Sequence, residues 1–164
     1  MAKPTKNAAI ICTIVSIIAL LGIIIGLSKG IPLLIIFLLL PTVVYEVYRT
    51  EGESTRSSSI ILLVVLIVEI ILVLFNINFN LAEFLGTTEE YIGGYLVPLG
   101  EIKVVGPTLM SILSVILFVR TRGIYTRWLA VTIFITSLVI IYSVNPQIFS
   151  DLIKMALQEG LRQL

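Results

Sequence analysis

Long apolar runs separated by short polar breaks make up most of this chain. Ala8–Leu27 is a nearly unbroken apolar run, closed by the tight break Ser28-Lys29-Gly30. Further runs follow at Ile31–Tyr48, Ile60–Ile77, Ile102–Val119 and Ile124–Val144. Each is close to the roughly 20 residues that a helix needs to cross the hydrocarbon core at about 1.5 Å per residue. The pattern predicts an all-α integral membrane protein: one membrane domain with about five transmembrane helices, within bounds of four to six. Residues 1–7 carry Lys3 and Lys6, as a signal peptide would. The run after them is too long for one and no A-x-A site follows, so it reads as the first span.

The polar stretches divide into three kinds. Arg49–Ser59, with Glu51, Glu53, Arg56 and several serines, predicts a short exposed loop. The stretch 78–101 carries Asn80, Glu83, Glu89, Glu90, Glu101, Gly93-Gly94 and Pro98, and predicts a surface loop with Leu81–Leu85 as a short interfacial helix. Its acids read first as a solvated surface and second as a cation or partner site. After Asn145-Pro146, an asparagine cap and a proline at the first helical position, the periodicity changes. Phe149, Leu152, Ile153, Ala156, Leu157, Leu161 and Leu164 fall on one stripe and Asp151, Lys154, Gln158, Glu159 and Arg162 on the other. This predicts an amphipathic helix over 146–164, suited to the membrane interface, a partner subunit or the chain's own loops.

Composition agrees: 58% of residues are hydrophobic, 13% are charged and the mean hydropathy is +1.12. A soluble domain carries about 25% charged residues. The net charge of +1 gives no reason to expect nucleic acid as a partner. There is no histidine, which removes the commonest zinc sites and bis-histidine haem. Cys12 is the only cysteine and reads as a small buried hydrophobe. No cofactor or metal is expected.

Few residues inside the runs carry chemistry. Glu69, near the middle of 60–77, is the ion-pathway candidate. A carboxylate within a span is costly, and desolvation favours its protonated form. Either it relays protons or cations, or it makes an interhelical hydrogen bond to a serine or threonine. Glu46 lies near the end of its span between Tyr45 and Tyr48, where it is expected to reach water. Gly22 and Gly26 form a G-x-x-x-G face for close helix packing, within this chain or with another. Pro41 is expected to kink its helix or free a carbonyl, shaping that packing. Arg120, Arg122, Arg127 and Trp128 read as interface anchors.

Five spans place the termini on opposite sides. Lys3, Lys6, Arg49, Arg56, Arg120, Arg122 and Arg127 fall on one side, and Lys29, Lys103, Lys154 and Arg162 on the other. The charge bias favours a cytoplasmic N-terminus and the C-terminus outside, and the cell membrane is the expected location. No nucleophile elbow, P-loop, HExxH or dinucleotide fingerprint occurs, and no internal repeat. An enzyme is the least supported class.

The stretch Gly100–Pro107, the apolar run after it and Arg120–Arg127 resemble small membrane-arm subunits of archaeal energy-converting hydrogenases. Tyr125-Thr126-Arg127 is also similar to a run in a small subunit of Mrp-type cation antiporters, whose pattern continues with a histidine and a lysine that this chain lacks. The resemblance covers about thirty of 164 residues. It implies a non-catalytic multi-span subunit of a proton- or sodium-translocating assembly, with the lipid bilayer and other membrane subunits as partners. Two alternatives stand beside it. One is a homo-oligomeric channel or carrier. The other is an anchor or assembly factor that docks a soluble protein through the C-terminal helix.

Overall fold

The computed structural model describes residues 7–50, 52–77, 89–92, 95–98, 102–150 and 153–154. The fold is an all-α bundle of five helices, each long and apolar enough to cross a membrane: α1 (Ala8–Lys29), α2 (Pro32–Arg49), α3 (Glu53–Leu74), α4 (Ile102–Arg120) and α5 (Ile124–Val144). Neighbours in the chain pack side by side, α1 closes the ring against α5, and α2 also touches α5. The core is apolar, built from Ala19, Ile35, Ile36, Leu39, Leu62, Leu66, Met110, Leu117, Ile133 and Ile140. At most 44% of any span is buried inside the bundle. The outward faces, such as Ile10, Ile14, Ile17, Leu21 and Ile24 on α1, are also apolar. Water would not tolerate so continuous an apolar surface, whereas lipid would.

Turn chemistry fixes the short connections. Gly30, at φ 64°, ends α1 in the left-handed region, with Ile31 N–H donating to Gly26 O (2.9 Å) and Gly30 N–H to Leu27 O (3.3 Å). Pro32 then opens α2 with its φ already set for a helix. Asn76, at φ 50°, ends α3 in the same way, with Ile77 N–H on Leu72 O (2.9 Å). Asn145 caps the segment that follows α5, its Oδ1 accepting from Gln147 N–H (3.1 Å) and Ile148 N–H (3.2 Å).

The boundaries differ from the sequence reading in three places. The polar loop expected over 49–59 is mostly helix: α3 starts at Glu53. Three of its hydroxyls fold back onto the chain, Ser57 Oγ donating to Glu53 O (2.8 Å), Thr55 Oγ1 to Gly52 O (3.2 Å) and Ser59 Oγ to Thr55 O (3.1 Å). Ser28 and Lys29, read as part of a break, complete the last turn of α1. Within 78–101, read as a loop, β1 (Glu89–Ile92) and β2 (Tyr95–Pro98) form an antiparallel hairpin with Glu89 opposite Pro98 and Ile92 opposite Tyr95. The interfacial helix expected at 81–85 lies outside the described residues. Of the amphipathic segment expected over 146–164, residues 146–150 and 153–154 are described, and they are helical.

Candidate functional site

With α3 running from Glu53 to Leu74, Glu69 stands five residues from its end, about 7.5 Å along the axis. The mid-span position expected from 60–77 therefore becomes one in the outer third of the helix. Glu69 is 1% exposed, and neither carboxylate oxygen has a hydrogen-bond partner among the described residues. No serine or threonine among the described residues hydrogen-bonds to it. Instead it faces Gly106 on α4, where a Cβ would collide with the Glu69 carboxylate. Glycine at 106 is what lets α3 and α4 approach with a carboxyl between them. Lys103, one turn earlier on α4, acts on Glu69 electrostatically. Its ammonium is tied to Asn76 Oδ1 (2.8 Å), the residue that terminates α3. An apolar groove of about 180 Å³ runs along the α3–α4 seam past Val65, Val68, Glu69, Leu72 and Gly106.

Glu46 is a correction. Expected to reach water, it is fully buried. Its Oε1 accepts from Thr50 Oγ1 (3.1 Å), which itself accepts from Ser59 Oγ (3.2 Å), while Oε2 has no hydrogen-bond partner among the described residues. The Arg49 guanidinium, one turn on, acts on it electrostatically. Arg49 is 4% exposed and lies near the Tyr45 ring (5.9 Å) and the Tyr125 ring (5.4 Å), within cation–π range. Cys12 is buried beside them, its Sγ 4.0 Å from Tyr125 O. The end of α2 and the starts of α1, α3 and α5 thus enclose a polar cluster. A signal for it was present in the sequence. The buried stripe of α2 (Ile35, Ile36, Leu39, Thr42, Val43) continues at helical spacing into Glu46, Arg49 and Thr50.

The two acids sit toward opposite ends of the bundle. From Ser59, the α3 member of the Glu46 cluster, to Glu69 is ten residues, about 15 Å. Between them α3 turns Leu62 and Leu66 inward. The buried hydroxyls of Ser111, Ser114, Thr136 and Ser137 all donate to carbonyls of their own helices. Among the described residues, no hydrogen-bonded chain joins the two carboxyls, and no group of three or more potential metal ligands forms.

The remaining candidates fall on helix contacts. Gly22 and Gly26 face α2 of the same chain: a Cβ at 22 would lie 2.8 Å from Leu38 Cβ, and one at 26 would collide with Ile35. Pro41 lies inside a continuous α2, half-buried, where the helix loses one N–H. The next residue, Thr42, donates across to Val15 O on α1 (3.1 Å). Trp128 is 60% exposed, and its Nε1–H reaches Ser16 Oγ on α1 (2.9 Å). Arg127 donates from Nε to Thr121 O (2.8 Å) and lies over the Phe118 ring (5.6 Å), so it braces the α4–α5 turn. Arg120 and Arg122 are exposed at the same turn. No family model, curated protein or solved structure matches the chain.

Proposed function

We propose that the chain is a non-catalytic, multi-span subunit of a membrane complex that moves protons or sodium, with Glu69 on the ion pathway. The observation that carries this is the Glu69 carboxyl, buried at the α3–α4 seam with neither oxygen hydrogen-bonded among the described residues. A purely structural acid in a span would be satisfied by a neighbouring donor, because an unmet carboxyl in an apolar setting is costly. Intramembrane acids are by default part of ion or proton routes. The dry stretch between Glu69 and the Glu46 cluster favours a route shared with a neighbouring subunit over one threading this bundle alone. The resemblance of Gly100–Pro107 and Arg120–Arg127 to membrane-arm subunits points to the same class of assembly. We place the chain in the cell membrane, and the charge bias favours an orientation with the N-terminus in the cytoplasm and Glu69 nearer the outer face.

Native mass spectrometry after mild-detergent extraction from the source membrane tests this reading. The chain should appear with other membrane subunits. In membranes holding that assembly, Glu69→Gln should abolish or strongly slow proton or sodium movement without dispersing the complex. A chain that always migrates alone, or unchanged flux in the variant, contradicts the proposal.

A further inference from the structure

The α4–α5 turn combines two features that the ion-pathway reading does not use. The first is charge: Arg120, Arg122 and Arg127 lie within eight residues, all exposed. Arg127 is fixed in place by its bond to Thr121 O and by the Phe118 ring beneath it. The second is shape. Arg127 itself lines an open groove of about 430 Å³ that runs along one face of α5, with Phe118 of α4 at its side and Trp128, Val131 and Ile135 among its other lining residues. Its lining is almost wholly apolar, and Trp128 is held at its mouth by the bond to Ser16. The Arg127 guanidinium thus borders an acyl-sized apolar groove, and Arg122 is exposed on the turn just before it. A phosphodiester bonds well to a guanidinium fork, and a hydrocarbon tail suits the groove below it.

We infer that the α4–α5 turn is a binding site for one anionic phospholipid. Its phosphate sits between Arg122 and Arg127, and one acyl chain lies in the groove past Phe118 and Val131. Charge complementarity selects the occupant. A zwitterionic lipid offers the same tail but cancels its phosphate with its own cation. A neighbouring protein helix would leave the arginines without an anion. The site differs from a general basic belt because position matters: Lys29 and Lys103, at the other end of the bundle, have no part in it.

Native mass spectrometry of the full, delipidated chain tests this, titrated with phosphatidylglycerol or phosphatidylcholine of matched tails. The wild type should retain one phosphatidylglycerol in preference to phosphatidylcholine. Each arginine at an anionic lipid contributes roughly fivefold, so R122Q/R127Q should weaken retention roughly thirtyfold. K29Q/K103Q, which removes the same charge elsewhere, should leave it unchanged. Val131→Trp, which fills the groove without touching charge, should weaken retention while the arginines remain. Equal retention of the two lipids, an equal loss in K29Q/K103Q, or full retention in Val131→Trp overturns the inference. Circular dichroism on each variant separates these outcomes from unfolding.

Discussion

Glu69 and Glu46 are both glutamates in apolar helices, but their surroundings demand different things of them. Glu46 has a hydroxyl donor in Thr50 and a cation one turn away in Arg49. Removing Arg49 strands a buried carboxyl, so Arg49→Ala should destabilise the bundle by about 3 kcal/mol, read from unfolding in mixed detergent. Among the described residues Glu69 has no hydrogen-bond donor, and the Lys103 ammonium that acts on it is bonded to Asn76, so Glu69→Gln, equal in shape, should change stability by less than about 1 kcal/mol in the same measurement. Gly106→Ala should cost about 1–3 kcal/mol, because its methyl meets the Glu69 carboxylate. Pairing it with Glu69→Ala should recover most of that loss, and a double-mutant cycle measures the coupling directly. Glu69 was legible as an intramembrane acid because charge is rare in a run such as 60–77. What faces it was not legible, since Gly106 is thirty-seven residues away and carries no side chain to announce a contact.

At the scale of the helix, apolar length was readable and boundaries were not. The five spans follow from the need to satisfy every backbone N–H in lipid, which only a long continuous helix achieves. The start of α3 was hidden because serine and threonine serve loops and helices alike. Ser57 and Ser59 chose the helix by donating to carbonyls one turn back. Glu46 was misread for a related reason: its nearness to the end of α2 suggested water, whereas the phase of the buried stripe put it inside. The Gly22–Gly26 face illustrates the converse case, where spacing revealed a contact surface but not its partner, α2. Gly22→Val should push α1 off Leu38 and cost about 1–3 kcal/mol, read as a lower midpoint of detergent-induced unfolding. Trp128→Phe removes only the bond to Ser16 and should cost about 0.6 kcal/mol, typical of a hydrogen bond between spans.

Across the whole molecule, the bundle places one buried acid toward each end and an apolar core between them. The arginine-rich turn lies at the Glu46 end, and Lys29 and Lys103 lie at the Glu69 end. This polarity along the axis was partly readable from the loop charges, and the burial of both acids was not, because it depends on which helices meet. The most direct test of the account is labelling of intact source membranes with dicyclohexylcarbodiimide, which reacts with protonated carboxyls in apolar surroundings, set against a water-soluble carbodiimide. Peptide mass spectrometry should find Glu69 modified by the apolar reagent and spared by the polar one. Modification by the water-soluble reagent at a comparable rate would place Glu69 in water and contradict the account.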